Sequence, residues 1–402
     1  MYGDKNLMQN CRDEAIRMCP GLAESWESNS DFTEWTFKIR EGVVWHDGTP
    51  FVAEDVTFWL DLFYNGVTVG DKVRPPGNAR AVFGDIKQVE TLDGNRVRVT
   101  LGRPDPVWLE RLGLHRIQLL HPRHLMEPLI QAGQVNVGPE DVGFVGTGPF
   151  VFQDYETSVA LEVRRFDRFW EKDEDGQRLP YLDGIDFLII REPNAMHAAF
   201  RTGRLDAGGR GRGYYVAPSM VPSFRKSLGD SVWFGELTGG ATAGIGFNTL
   251  RPPFDDVRLR KAVSLWVDRQ TAIDILGDGY GRIKTMMSDT SWSAPDFLTW
   301  PGYNPNTKAA DRAEAKRLLA EAGYADGVTL RISGPRHKAT QIEWWQGALA
   351  GSGINVELDL METAEYDERR TGSNYTALDT GASEDIPEAL LAVIGAKEIS
   401  PR

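Results

Sequence analysis

Hydrophobic and polar positions alternate from Trp35 to Arg40. Trp35, Phe37 and Ile39 fall on one side and Thr36, Lys38 and Arg40 on the other, the period of a half-buried strand. Val43, Val44 and Trp45 continue the apolar run, Asp47-Gly48 supplies turn chemistry, and Pro50 fixes the exit. Ala53-Glu54-Asp55-Val56 then opens a helix, with acids in the first turn to suit its dipole. Val56, Trp59, Leu60 and Phe63 form the apolar stripe of that helix. The pattern predicts strand, turn, helix.

Further along, residues 89–101 predict a hairpin, with Asp93-Gly94 as the turn and Val97, Val99 and Leu101 alternating. Residues 107–132 read as helical with a break at His121-Pro122. Val145-Gly146-Thr147-Gly148-Pro149-Phe150 is a tight glycine loop entering a strand at 150–155, and its backbone amides can face a ligand. No Gly-Lys-Ser/Thr follows, so it is not a phosphate loop. A buried strand is expected within 180–190 and a helix over 192–202, ending at Gly203, with Leu205-Asp206 opening another strand. Residues 239–249 are glycine-rich, and Gly239, Gly240 and Gly244 are candidate hinge positions. Asp255 or Asp256 caps a helix with the stripe Leu259, Ala262, Val263, Trp266, and Asp268-Arg269 read as a structural cap or ion pair. Helices ending at Gly323 and spanning 339–350 alternate with strands at 328–332 and 354–360, which is α/β logic.

A chain of 402 residues has room for two or three domains. A net charge of −13 without a basic block argues against a nucleic-acid partner. No apolar run reaches the ~18 residues of a membrane span. Gly208-Gly209-Arg210-Gly211-Arg212-Gly213 is short and isolated in an acidic chain and reads as a loop. Cys11 and Cys19 lack zinc spacing and read as two thiols or one disulfide. His115, His121 and His124 lie close in sequence, but Pro122 interrupts any shared helical face, so no metal site is expected. The start, Met1-Tyr2-Gly3-Asp4-Lys5-Asn6, shows no signal-peptide pattern.

Four blocks carry a resemblance: Leu22-Ala23-Glu24-Ser25-Trp26 with Trp35–Arg40 and with Asp47-Gly48-Thr49-Pro50 and Ala53–Val56; Val145–Phe150; Pro253–Val263; and the helix ending at Gly323-Tyr324. In this order they resemble the family 5 extracellular solute-binding proteins, the dipeptide- and oligopeptide-binding components of ABC importers. The resemblance covers roughly residues 20–390. It implies an α/β fold of the class II periplasmic-binding-protein type, two lobes around a central cleft with a small α/β domain inserted in the first lobe. Residues 1–145 would be the inserted domain, 146–244 part of lobe 1, and 245–402 lobe 2. It also implies a further stretch before Leu22 and a C-terminal return, so the chain is expected to be a fragment of the family architecture.

The function implied is capture of a small solute, foremost a peptide, by hinge closure and its delivery to a membrane permease. The protein would be a periplasmic or extracellular monomer with no catalytic residue and no cofactor. In peptide-binding members an Asp after a Gly-rich strand end takes the ligand ammonium, and Asp385, after Gly381, falls at the matching place. Ala382 stands where peptide binders often carry Trp, so an oligosaccharide, opine or nickel chelate remains an alternative ligand. Gly381, Thr147 and Gly148 are candidate ligand contacts. Among twelve tryptophans, Trp292 and Trp344 are candidates to line a cleft. A hydrolase is a further alternative, but Gly-x-Ser-x-Gly and His-Glu-x-x-His are both missing.

Overall fold

The computed structural model describes residues 7–10, 18–75, 83–114, 120–190, 192–206, 220–232, 242–277, 279, 281, 283 and 296–382. These belong to two compact units, one running to Met196 and the other starting at His197.

The first unit is built on a four-stranded antiparallel sheet. Its strands are β3 (Ala23–Ser28), β4 (Glu34–Ile39), β7 (Ile86–Leu92) and β8 (Arg96–Leu101), in the order β3-β4-β8-β7. Two short ladders accompany it, β1 (Met8–Asn10) with β2 (Met18–Pro20) and β5 (Val67–Val69) with β6 (Lys72–Arg74). Trp35, Phe37 and Ile39 of β4 and Val97, Val99 and Leu101 of β8 are buried, as the alternation requires. Helix α1 (Ala53–Asn65) adds Val56, Trp59 and Leu60 to the same core. Trp108, at the start of α2 (Trp108–Leu114), lies 6.0 Å from Trp35 and 6.2 Å from Phe37, centroid to centroid, and its indole N–H donates to the Phe83 carbonyl at 2.7 Å. Burial of each such ring is worth roughly 2–3 kcal/mol.

The Asp93-Gly94 hairpin turn does more than reverse the chain. Asn95, at a φ of 56°, accepts from the Ala53 N–H at 2.8 Å and donates to the Ile39 carbonyl at 3.1 Å. It thereby satisfies a free donor at the helix start and ties strand to helix. Helix α3 (Arg123–Gln131) follows the break at Pro122, and Met126 packs with Leu62, Val67, Val137 and Val142 in a second cluster. A three-stranded antiparallel sheet completes the unit: β9 (Phe150–Glu156), β10 (Ala160–Arg165) and β11 (Gly184–Leu188), with β10 central and a bulge at Glu162/Val163.

In sequence, α4 (Pro193–Arg201) contains the boundary at Met196/His197, and α5 (Val221–Leu228) of the second unit buries Phe224. The second unit holds a mixed sheet in the order β12-β15-β13-β14, made of β12 (Thr242–Phe247), β13 (Val328–Pro335), β14 (Ile354–Met361) and β15 (Ala377–Ala382). β13 runs parallel to both β14 and β15, and β12 is antiparallel to β15. Leu330 and Ile332 of β13 are fully buried, as parallel strands covered on their faces demand. Covering helices are α6 (Val257–Trp266), α7 (Arg269–Leu276), α8 (Lys308–Glu321), α9 (Ala339–Ala348) and α10 (Thr363–Thr371). The expected stripe Leu259, Ala262, Val263, Trp266 packs on Ala315, Leu318 and Leu319.

Asp256 caps α6, accepting from the Arg258 N–H at 2.8 Å. Asp268 likewise caps α7, while Arg269 turns away to the Ser264 and Gly302 carbonyls and lies over the Tyr303 ring. That pair is therefore a cap, and the arginine serves a different contact. Leu205 and Asp206, the expected opening of another strand, belong to no strand among the described residues, and residues 207–219 lie outside them. Cys19 is disulfide-bonded, and Cys11 lies outside the described residues.

Candidate functional site

In the second unit the parallel strands β13 and β14 end at the paired residues Pro335 and Met361, and β15, whose Ala377 and Leu378 pair with Ile332 and Ser333, runs on to Ala382. Carboxyl ends of parallel strands are where open α/β sheets take ligands, because loops and helix starts converge there. After β13 comes a single 3-10 turn, Arg336-His337-Lys338, and then α9. Three basic residues in a row thus stand at the strand end.

Asp379 of β15 is the node of this end. It is fully buried. Its carboxylate accepts from Lys338 Nζ at 2.9 Å and from Gln341 Nε2 at 2.7 Å, and its main-chain carbonyl accepts from the Tyr366 hydroxyl at 2.8 Å. A buried carboxylate needs such compensation. Burial beside the Asp379 charge raises the Tyr366 phenol above its ordinary range, so it stays a donor at neutral pH. Gly334 permits this approach: a Cβ there would run into Ile342 Cδ1 and stand 3.3 Å from Asp379 Cβ. One layer along, Asp359 accepts from Ser333 Oγ at 3.0 Å and from Arg369 at 2.6 Å, fastening α10 to β14. Arg336 reaches Glu362 at 3.3 Å and keeps most of its side chain in solvent.

In the first unit the turn after β4 gathers polar groups. Asp47 Oδ1 accepts from the Thr49 N–H at 2.9 Å, and its Oδ2 accepts from His124 Nε2 at 2.6 Å, binding the turn to the start of α3. The His124 contact holds the Asp47 carboxyl below the usual range, against its partial burial. Asp55 accepts from the Trp45 indole N–H at 3.3 Å and from the Val52 N–H at 3.0 Å; burial pushes its carboxyl upward. His46 faces the glycine loop. The Gly146 N–H donates to its Nδ1 at 3.1 Å, its Nε2 donates to the Gly148 carbonyl at 3.0 Å, and Phe166 packs edge-on at 4.9 Å.

Thr147 and Gly148 therefore lie together on a held, buried loop, Thr147 only 1% exposed. Gly381 pairs with Ala243 and Gly244 with Thr380 in the β12–β15 ladder. Trp344 is half-buried on the core of the second unit, edge-on to Trp345 at 5.0 Å, a packing position. Asp385, Trp292, Gly239 and Gly240 lie outside the described residues. The three clustered histidines separate: His121 stacks on Phe63, His124 pairs with Asp47, and His115 is outside the described residues. Among the described residues no group of three His, Cys, Asp or Glu side chains is placed to hold a metal. Sequence reasoning missed His46, Asp379, Lys338 and Gln341. The available signal was a charged residue ending the apolar pair Ala377-Leu378, and a histidine directly after the buried Trp45.

These sheets and strand-end loops define a class II periplasmic-binding-protein fold. Solved structures agree: DppA from Helicobacter pylori in complex with the peptide STSA matches 97% of this chain and 74% of its own at a TM-score of 0.74 and 21% identity. OppA from Haemophilus influenzae in complex with RPPGFSPFR matches 96% of this chain and 75% of its own at 0.68 and 25% identity. Residues 17–393 match the bacterial extracellular solute-binding proteins, family 5 Middle, and the chain belongs to that family. It is 30% identical over 387 residues to heme-binding protein A of Haemophilus influenzae, covering 91% of this chain and 66% of that protein. It is 26% identical over 383 residues to the dipeptide-binding protein of Escherichia coli, covering 89% and 66%. The chain thus spans just under two thirds of the length of these two relatives. Among the described residues no helix is long and apolar enough to cross a membrane.

Proposed function

We propose that the chain is the solute-capturing component of an ABC importer, binding a small solute, foremost a peptide, by hinge closure and handing it to a membrane permease. The observation that carries this reading is the family match over residues 17–393. The relatives' names include dipeptide-, oligopeptide- and di/tripeptide-binding proteins. The protein acts as a monomer on the periplasmic or outer face of the membrane and turns nothing over. The largely exposed Arg336 guanidinium after β13 offers positive charge to a ligand carboxylate, and Asp385 offers the charge for an ammonium. Residues 1–145, 146–244 and 245–402 serve as inserted domain, lobe 1 and lobe 2.

A second reading keeps the fold and changes the ligand. Neighbours of this fold are solved with agropinic acid and with Ni(L-His), and the 30% identical relative is a heme-binding protein. Thermal melts of the purified chain with Met-Leu, RPPGFSPFR, glutathione, hemin, agropinic acid and Ni(L-His) separate the readings. A ligand binding only the folded state adds about 2.7 kcal/mol at a hundredfold excess over its dissociation constant, and the peptides are expected to give the upward shift. A shift confined to another ligand would replace the peptide. Hydrolysis of the peptides during incubation would overturn the binding-protein reading.

A further inference from the structure

A groove of about 800 Å³ opens in the first unit between the exit of β4, the return through Pro50-Phe51-Val52, the first turn of α1 and the β7–β8 hairpin turn. Its walls are tied together. The Phe51 N–H donates to the Val43 carbonyl at 3.0 Å, Asn95 bridges Ala53 and Ile39, and Thr91 Oγ1 meets Thr57 Oγ1 at 2.7 Å. The shape therefore exists before anything enters it, as binding clefts usually do. Val44, Pro50, Val52 and Leu92 give it an apolar lining. Glu41, Glu54 and Asp93 also line it, and all three are exposed. Among the described residues no lysine, arginine or histidine lines it.

Apolar lining beside negative charge complements a lysine or arginine side chain, which lays its methylene stem on apolar surface and keeps its cation at the tip. Among the described residues no three acids are grouped to hold a metal, so the carboxylates are spread along the groove rather than gathered on one ion. Spread charges suit several cations at intervals. In an extended segment alternate side chains share a face, about 7 Å apart. The groove also reaches Thr91 and Leu92 at the end of β7, the edge strand of its sheet, and a sheet edge is where an added extended segment finds main-chain partners.

We propose that this groove is a docking site for an extended basic segment of a partner protein, its alternate lysine or arginine side chains crossing Val44, Val52 and Leu92 towards Glu41, Glu54 and Asp93. Docking here is separate from solute capture and holds whichever solute the chain carries. Two cations in the neighbourhood are engaged elsewhere: Lys38 pairs with Glu24, and Arg96 Nε donates to the Asp93 main-chain carbonyl at 3.0 Å.

The probe is a hexapeptide of alternating lysine and valine, acetylated and amidated so that it carries neither terminal charge of a free peptide. Added at low salt to the nitrogen-15-labelled full chain, it should move the amide signals of Glu41, Val44, Glu54 and residues 91–95. Saturating Met-Leu should leave those shifts in place, and high salt should weaken them by screening. The triple variant E41Q, E54Q and D93N keeps side-chain shape and an Asn-Gly turn. It should bind the probe about tenfold more weakly, which is about 1.4 kcal/mol shared by three exposed pairs, and should bind Met-Leu as the native chain does. The three single variants, each expected to bind about twofold more weakly, guard against a folding defect in the triple. Shifts confined to the second unit, displacement by Met-Leu, equal binding of the glutamate-valine counterpart, no binding at low salt, or a triple variant that binds like the native chain would each overturn the proposal. Spermidine binding at these residues as tightly as the hexapeptide would overturn it in favour of a small polyamine. Failure of Met-Leu to bind the native chain removes the peptide reading alone, because the shift map and the variants still decide the docking site.

Discussion

His121 is half-buried against Phe63, rings stacked at 5.9 Å and 15° apart, with the Arg74 guanidinium nearby. Burial first, and the arginine second, push its imidazole from 6.5 down to about 4. A base whose affinity for protons is depressed on folding makes the unfolded chain the better proton acceptor. Its contribution is therefore complete above pH 6.5 and is lost as pH falls towards 4. At about 1.4 kcal/mol per pH unit of displacement, the loss amounts to roughly 3 kcal/mol. H121F keeps an aromatic ring on Phe63 and takes no proton. Urea unfolding followed by tryptophan fluorescence at pH 7.5, 6, 5 and 4 would measure both proteins. Other groups titrate in both, so the difference between the two curves isolates His121. The native chain should lose about 3 kcal/mol more than H121F between pH 7.5 and 4. Parallel curves would refute the argument, since they would mean that His121 is as free to protonate in the folded chain as in the unfolded one.

Removing the ammonium in K338M leaves the fully buried Asp379 carboxylate with Gln341 alone and should cost about 3 kcal/mol by urea unfolding, with D379N costing less because the charge leaves with the acid. N248A removes the amide that donates to the Ser373 and Tyr375 carbonyls and accepts from the Leu250 N–H; a loss of about 2–3 kcal/mol is expected, and a change below ~0.5 kcal/mol would show that water replaces it. In G302A the new Cβ would stand 2.8 Å from the Ser264 carbonyl at a φ of +84°, so the melting temperature should fall by several degrees, about 1–2 kcal/mol. D256A deletes the α6 cap and should cost about 1 kcal/mol, whereas D256N should be nearly neutral in the same melt.

Local pattern determined a great deal here. The alternation of Trp35, Phe37 and Ile39, the stripe of Leu259, Ala262, Val263 and Trp266, the Asp93-Gly94 turn and the Asp256 cap each follow from contacts within a few residues, where geometry is fixed by the backbone period. The order of the family blocks was legible for the same reason, since it is a string of such local features. Tertiary structure alone decided the rest. Asp379 meets Lys338 and Gln341 across about forty positions of chain, and His46 meets Gly146 and Gly148 across about a hundred. No period in the sequence encodes a pairing set by which strands become neighbours. Trp344 suited a cleft or a core equally by its type, and only the fold shows it half-buried against the second unit's core. A side chain's type limits what it can bond, but burial and the partners brought to it by the fold choose among those bonds.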